Sequence, residues 1–261
     1  YLPLSLDSIL TAIDRHGASV EKNRLAFHVG REAMADVDGV RQPSEPVQQS
    51  IDELSAELAN DLRDYQNEAY ASDFRSHVST VRAWDYDGVD GDEFVRVFAR
   101  ALHKLMAYKD EYEVARLTLD SSWRDHIRHD FGASSKSWSL LQPPFLRMLG
   151  LNKKIRFAPW SMPALRALRL MRRVRGSIFD VFGWTKLRRT ERALIPEYIE
   201  AINQIGPNLN MSNFDGAISI ADLPQLIRGY EEVKWDAIHR YHEELSAGLN
   251  AIHLLSKSSV R

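Results

Sequence analysis

The chain has 261 residues, enough to bury a sizeable core, and its 44% apolar and 27% charged composition is that of a globular protein. It lacks cysteine, which excludes disulfides and thiolate-held zinc or iron–sulfur sites within the chain, and no apolar run approaches the ~20 residues that span a bilayer. The net charge of −2 conceals an acidic and a basic region. Residues 1–120 carry 13 Lys+Arg against 23 Asp+Glu, whereas residues 121–200 carry 16 against 6.

The N-terminal segment is predicted to be helical. Ser5 or Asp7 is placed to cap a first helix that runs to His16. A second helix is predicted over residues 19–36. The polar, proline-containing stretch 37–46 follows and is the best candidate for a linker.

A long helix is predicted next. Ser44, with Pro46 in the first turn, opens this helix, which runs toward Trp84. A turn-rich break at Asp87–Asp92 follows it. The apolar stripe of the long helix consists of Ile51, Leu54, Leu58, Leu62, Tyr65 and Ala69.

A second long helix is predicted from about Glu93 to Leu119, and its charges are unusually dense. Lys109 and Glu113 are four residues apart, with Arg116 three further on, so they form a pairing row on one side of a helix. We expect Lys109, Asp110, Glu113 and Arg116 to form an ordered, buried charge network, because unpaired buried charge is costly. The apolar seam that packs into the core consists of Phe94, Phe98, Ala101, Leu105, Tyr108, Tyr112 and Ala115.

The remaining sequence predicts a mainly α, irregular multi-helix domain. Short alternating runs at Ser137–Leu141 and Lys154–Phe157 permit one small β-hairpin near residues 137–157. Ser161 starts a helix that Gly176 ends, and Thr185 caps another that runs through Gln204. Breaks near 206–213 and at Pro224 precede a last helix over roughly 230–255.

Three patterns suggest a binding site, and each has a plainer alternative. His126 and His129, like His239 and His242, share a helix face at i, i+3, so each pair is compatible with a metal site or with solvated histidines. The acidic stretch 85–93 alternates as calcium loops do, but the spacing of its glutamate is wrong, which favours a solvated turn.

The third pattern is a basic block between Lys153 and Arg192, with twelve Lys+Arg and only Asp180 and Glu191 against them. Arg166, Arg169 and Arg173 fall on one helical face. This face is a candidate for binding phosphate groups, of CoA for example, or an acidic partner domain. The alternative is that it docks on the acidic N-terminal part of the chain.

Several segments resemble, in order along the chain, the C-terminal region of indolepyruvate ferredoxin oxidoreductases. AYKDEYEVARL at 107–117 resembles the signature of that region, and the other matching segments cover much of the remaining sequence. They are LPLSLDSILTAIDRHGASVEKNRLAFHVGR at 2–31, DYQNEAYAS at 64–72, FAPW at 157–160, RGSIFDVFGWT at 175–185, ERALI at 191–195 and LPQLIRGYEEVK at 223–234.

The chain also departs from the family pattern. Ala158 stands where the family has Gly, Val181 where it often has Pro and Trp184 where it has Tyr. Residues 230–232, Tyr-Glu-Glu, replace a Phe-Gly-His run. These differences weaken any inference that the substrate is shared, but the order of the segments is kept.

The resemblance implies a division into the tail of a γ-type catalytic-partner domain, residues 1–40, and a C-terminal helical domain, residues 44–261. The family oxidatively decarboxylates aryl 2-oxo acids to acyl-CoA, using thiamine diphosphate with Mg²⁺, 4Fe–4S clusters and CoA as acyl acceptor, and it passes electrons to ferredoxin. The thiamine and cluster domains lie upstream in such enzymes, so this chain is expected to hold no cofactor and no catalytic residue.

The chain is thus expected to be a non-catalytic module of a longer cytoplasmic oxidoreductase. It begins with Tyr1 rather than Met, which also predicts that it is part of a longer protein. Its expected partners are the upstream domains and a second copy of the enzyme. The alternative is an independent helical module that binds nucleic acid or another polyanion through the basic block at 153–192. No nucleic-acid motif accompanies that block, which disfavours the alternative.

Overall fold

In a computed structural model, residues 4–16, 19–35, 49–86, 88–120, 139–141, 155–157, 162–229 and 231–258 are described. The backbone divides into two units, Tyr1–Gln49 and Ser50–Arg261. The first contains α1 (Leu6–His16) and α2 (Val20–Ala35), which confirms both predicted helices. An exposed ion pair between Asp14 and Arg24 joins them. The assignment of residues 1–40 to a γ-type domain stays a prediction, and the stretch 37–46 lies outside the described residues.

The second unit begins with two helices where one was predicted. α3 (Ile51–Tyr65) starts at Ser50, whose hydroxyl and backbone form a capping box with Glu53. Asn67 then caps α4 (Glu68–Arg82) by accepting a hydrogen bond from the backbone N–H of Tyr70 at 2.9 Å. The prediction of one continuous helix toward Trp84 was therefore wrong.

α5 (Gly91–Met106) is the central helix of this unit. Asp90 caps its first turn, and α3, α4 and two later helices pack around it. Because it is contacted on several sides, apolar residues are buried on more than one of its faces. They are Phe94, Val95, Phe98, Ala99, Ala101, Leu102, Leu105 and Met106.

The charge-dense segment also contains a break. α5 ends at Met106, and α6 (Glu111–Leu119) begins after Asp110, so the predicted helix from Glu93 to Leu119 is interrupted by residues 107–110. Asp110 prefers the N-cap position, where its carboxylate accepts from a free backbone N–H, over a helix interior. The predicted seam is nonetheless buried at every position, from Phe94 to Ala115.

The predicted strand pair is present, and the C-terminal helices follow it. Ser139–Leu141 (β1) pairs antiparallel with Ile155–Phe157 (β2), Leu140 opposite Arg156. The helices are α7 (Met162–Leu170), α8 (Lys186–Ile205), α9 (Phe214–Asp222) and α10 (Glu231–Ser258), and short 3₁₀ turns cover Met171–Val174, Phe182–Trp184, Gly206–Asn208 and Leu223–Leu226.

The mainly α, multi-helix prediction is confirmed. Residues of α3, α4, α5, α8, α9 and α10 share one hydrophobic core in the second unit, and α6 packs on α7. Within this core the rings of Phe98 and Tyr198 stack, with their centroids 5.8 Å apart. None of the helices described combines the length and the apolar character needed to cross a membrane.

Candidate functional site

The link between α5 and α6 fixes a buried carboxylate. Asp110 is the N-cap of α6, and its Oδ1 accepts a hydrogen bond from the backbone N–H of Glu113 at 2.8 Å. An acidic side chain here satisfies an otherwise free N–H and lies at the positive end of the helix dipole. Asp110 is only 3% exposed, so its charge requires a further partner within the protein.

Arg175 is that partner. Its Nε donates to Asp110 Oδ2 at 2.6 Å, and its Nη2 donates to Oδ1 at 2.8 Å, which makes a bidentate pair. Nη1 donates to the backbone carbonyl of Tyr65 at 2.5 Å, and the guanidinium lies 3.6 Å from the centre of the Tyr65 ring. Arg175 therefore ties the end of α3 to the start of α6.

Two tyrosines satisfy carbonyls at the α5–α6 link. The hydroxyl of Tyr65 donates to the carbonyl of Tyr108 at 2.9 Å, and that of Tyr70 donates to the carbonyl of Met106 at 3.1 Å. Carbonyls at a helix C-terminus have no partner in the helix itself. Burial raises the pKa of both phenols, so both remain protonated donors.

A second buried carboxylate, Asp180, organises the turn after Arg175. Its Oδ2 accepts from the backbone N–H of Gly176 at 2.8 Å, and its Oδ1 accepts from that of Gly183 at 3.0 Å. The hydroxyl of Tyr112 on α6 donates to Oδ1 at 3.1 Å. Arg192 adds a longer contact of 3.5 Å to Oδ2. One side chain thus holds both ends of the turn and links it to α6.

Glycine is required at both ends of this turn. Gly176 has φ +78°, a conformation that other residues adopt only with strain. A Cβ at Gly183 would lie 2.2 Å from Asp180 Oδ2, far inside contact distance. The turn and its carboxylate therefore depend on each other.

A third group of charges lies at the start of α8. Glu191, 3% exposed, binds Arg188 through one oxygen at 2.6 Å and Lys234 of α10 through the other. Arg188 also lies 3.7 Å from Glu111 Oε2. That oxygen is buried without a hydrogen bond, and burial raises the pKa of Glu111.

The rest of the predicted network lies further along α6. Arg116 donates to both oxygens of Glu113, at 2.7 and 2.8 Å, and to Asp61 of α3 at 2.9 Å. His103 of α5 pairs with the other oxygen of Asp61 at 3.0 Å. The hydrogen bond from His103 and the charge of Arg116 together lower the pKa of Asp61. These side chains join α3, α5 and α6.

The predicted network residues thus separate. Asp110 bonds to Arg175, whereas Glu113 and Arg116 bond to each other and to Asp61. Lys109 is exposed, and within the described residues it makes no ion pair, because the break before α6 removes its helical register with Glu113.

The turn held by Asp180 projects apolar side chains into solvent. Four residues in or directly after this turn are more than half exposed: Ile178, Phe179, Val181 and Trp184. The predicted anion-binding residues Arg166, Arg169 and Arg173 are also exposed, and so are Lys186 and Arg189. Because Asp180 and Glu191 are both buried, all exposed charges between residues 162 and 192 are positive.

The histidine pairs do not form a cluster in the part of the chain that the structure describes. His239 is exposed, and His242 pairs with Glu197 at 3.1 Å. His126 and His129 lie outside the described residues. Within the described ranges, no group of three or more His, Cys, Asp or Glu side chains is placed to hold a metal ion.

Arg175, Asp180 and Lys234 were not among the predicted site residues. All three lie in segments that carry the resemblance, at 175–185 and 223–234. The available signal was Asp180 itself, one of only two acidic residues in the basic block 153–192, flanked by Arg175-Gly176 and by Gly183. Arg175 binds Asp110, 65 residues away in sequence, and Asp180 binds Tyr112, 68 residues away. Helical periodicity predicts contacts only between residues three or four apart, so it could not predict these pairs.

Comparison with curated proteins and with solved structures gave no match. A family model does match, over residues 51–247, which include the charged groups around α6 and α8 and the turn that Asp180 holds. Its description is a family of unknown function, DUF6537. Because the match covers well over half of the 261 residues, the chain belongs to this family.

Proposed function

We propose that this chain is an accessory, non-catalytic module of a cytoplasmic 2-oxoacid ferredoxin oxidoreductase of the indolepyruvate type. The parent enzyme would convert aryl 2-oxo acids to acyl-CoA, with thiamine diphosphate, Mg²⁺ and 4Fe–4S clusters held by upstream domains. Ferredoxin would accept the electrons, and the intact enzyme would be a homodimer. The order of the matching sequence segments supports this proposal.

One structural observation carries the proposal: segments that bear the resemblance meet at one buried network. Residues 107–117 supply Asp110 and Tyr112, and residues 175–185 supply their partners Arg175 and Asp180. Residues 191–195 and 223–234 meet through Glu191 and Lys234. These charged groups are engaged with one another, which favours a structural use of the segments.

The same network fixes a surface suited to docking. The turn between Gly176 and Gly183, together with Trp184 directly after it, presents exposed apolar side chains, and the exposed charges of residues 162–192 are all positive. Apolar patches of this kind mark interaction sites, and a basic surface selects an acidic partner. The proposed occupant is an acidic surface of the upstream catalytic domains, chosen by this charge complementarity.

Binding to the upstream domains tests the proposal. The reading frame that encodes the chain should continue into thiamine- and cluster-binding domains, and those domains, supplied separately, should bind this chain. Phe179→Ser combined with Trp184→Ser should weaken that binding at least tenfold. Met211→Ser is the matched control, because Met211 is 83% exposed and lies outside the turn. An isolated reading frame, or equal binding by both variants, would contradict the proposal.

The alternative function, polyanion binding, has one observation in its favour: the exposed charges of residues 162–192 are all positive. Phosphate contacts release counterions, so binding to DNA or heparin should fall steeply with salt. Arg166, Arg169 and Arg173, changed together to Gln, should then abolish it. Salt-dependent DNA binding without any affinity for the upstream domains would favour this alternative over the oxidoreductase module.

A further inference from the structure

A cleft of about 170 Å³ opens among the end of α5, the 107–110 link, α8 and the start of α10. Its volume is well above that required by a single water molecule. Apolar contact comes from Leu194, Ile227 and Tyr108. Three lysines complete the wall: Lys104, Lys109 and Lys234.

Positive charge in this cleft is only partly neutralised. Lys104 Nζ donates to Gln225 Oε1 at 3.2 Å, which is a neutral partner. Lys109 is exposed and unpaired among the described residues, as noted above. Among the described residues that line the cleft, Glu191 is the one carboxylate, and it binds both Lys234 and Arg188.

The groups that act on Lys104 from neighbouring elements are also mostly cationic. Burial lowers the pKa of Lys104 to about 8, with further lowering by Arg228 and Lys234 and partial opposition from Asp222. Asp222 is exposed, so solvent screens its charge. A half-buried ammonium group in this field would be stabilised by an anion beside it.

We propose that this cleft binds a small anion, a carboxylate or a phosphate group, through Lys104, Lys109 and Lys234. An ammonium group has three donors, and the described hydrogen bonds use one on Lys104 and one on Lys234. Lysines bind such anions as point charges on flexible stems. Leu194 and Ile227 would contact an apolar part of the ligand. The inference is independent of the oxidoreductase proposal, because it uses only the charges and shape of the cleft.

Calorimetric titration of the 261-residue chain with inorganic phosphate and, separately, with acetate tests the site. Lys104→Met should weaken binding at least tenfold, and Lys109→Gln about threefold. Arg100→Met is the control, because Arg100 is an exposed cation on α5 that does not line the cleft. Lys109 is exposed, so its variant keeps the test valid even if Lys104→Met lowers stability.

Proton uptake provides a second readout. Near pH 8 an anion should raise the pKa of Lys104, so binding should take up protons from the buffer, and affinity should fall as the pH rises further. Lys104→Met should abolish the uptake. Binding of phosphate alone would assign a phosphate ligand, and binding of both anions a general anion site. No binding, or equal weakening by Arg100→Met and Lys104→Met, would overturn the proposal.

Discussion

Two sets of charged side chains meet at the α5–α6 link and differ in how far they are neutralised. Asp110 and Arg175 are both nearly inaccessible and form a bidentate pair. Lys104, Lys109 and Lys234 line an open cleft, and of the three only Lys234 is paired with a carboxylate among the described residues, Glu191, which Arg188 also binds. Asp110, whose charge is fully paired, is thus adjacent in sequence to Lys109, which has no ion-pair partner among the described residues.

This difference shows that burial and the number of bonding partners, more than the density of charge, distinguish a charged side chain that stabilises the fold from one that is able to bind a ligand. A buried ion pair contributes little net stability relative to apolar residues, but breaking it by removing one member is costly. Exposed or half-exposed lysines carry a smaller desolvation cost and can exchange partners. The network should therefore respond to substitution through stability, and the cleft through affinity.

Arg175→Leu should have the largest effect on stability. It leaves Asp110 buried with only the backbone N–H of Glu113 as a described partner, so the free energy of unfolding should fall by about 3–5 kcal/mol. Urea denaturation measures the change. Arg173→Leu, at an exposed neighbouring arginine, should change it by no more than ~0.5 kcal/mol.

A double variant separates the pair from its surroundings. Asp110→Asn combined with Arg175→Leu removes both charges, so part of the loss should be recovered relative to the sum of the single variants. If Arg175→Leu proved as mild as Arg173→Leu, the contrast between a buried pair and surface cations would be wrong.

Asp180→Ala should come next, with a loss of about 3 kcal/mol. The variant removes the acceptor for two backbone N–H groups and for the Tyr112 hydroxyl, and hydrogen bonds to a charged group are worth ~1.5–3 kcal/mol each. Hydrogen exchange at Gly176 and Gly183 should accelerate as the turn loosens. Asp180→Asn keeps one acceptor oxygen, so its free energy of unfolding should fall by less than that of Asp180→Ala. Equal losses in the two variants would mean that the second oxygen and the charge of Asp180 do not stabilise the turn.

Much of the helical fold was predictable, because local signals determine it. Thr185 caps α8 as predicted, and the apolar seam of α5 and α6 is buried throughout. The two breaks were missed because Asn67 and Asp110 cap helices inside apolar patterns that continue across them. The consequence is visible at Ala69, which was predicted on the apolar stripe but is exposed, whereas Ala71 is fully buried.

The site was less predictable than the fold. Charged side chains are dense at 109–116, but periodicity supplies only partners three or four residues away. Lys109 was therefore paired with Glu113, whereas Arg175 is the partner of Asp110. Contacts of this kind depend on how helices pack, and one sequence without tertiary information does not specify that.

Arg116→Leu should have an intermediate effect, about 1–2 kcal/mol near pH 7. Arg116 is 18% exposed, so its pairs with Glu113 and Asp61 are partly screened. The lowered pKa of Asp61 means that its stabilising contribution is present above the ordinary aspartate pKa of ~3.9 and is lost as the pH falls through the lowered value. The gap between wild type and variant should therefore shrink in acid.

Urea denaturation near pH 7 and at about pH 2 measures that gap. Arg116→Lys is the control, since it keeps the charge and loses the two-pronged contact with Glu113. A gap that stayed constant with pH would mean that Arg116 contributes by packing alone.

Glu111→Gln should have the smallest effect and the opposite sign, although Glu111 adjoins Asp110 in the chain. Glu111 Oε2 is buried without a hydrogen bond and lies 3.7 Å from Arg188, so ionisation here is poorly compensated. Burial raises its pKa, so the folded state binds a proton more tightly than the unfolded state does. Wild-type stability should fall relative to Glu111→Gln as the pH rises from the ordinary glutamate pKa of ~4.3 through the raised value.

Near pH 7 the variant should therefore be as stable as wild type or more stable, by up to ~1 kcal/mol. Asp110→Asn in the same assay should destabilise, because Asp110 accepts both hydrogen bonds of a bidentate pair. If the two variants change the free energy of unfolding in opposite directions, the contribution of each carboxylate depends on its own bonding partners. A clear loss of stability in Glu111→Gln would instead place Glu111 with Asp110 among the completed pairs, and would make Arg188 a stronger partner than 3.7 Å indicates.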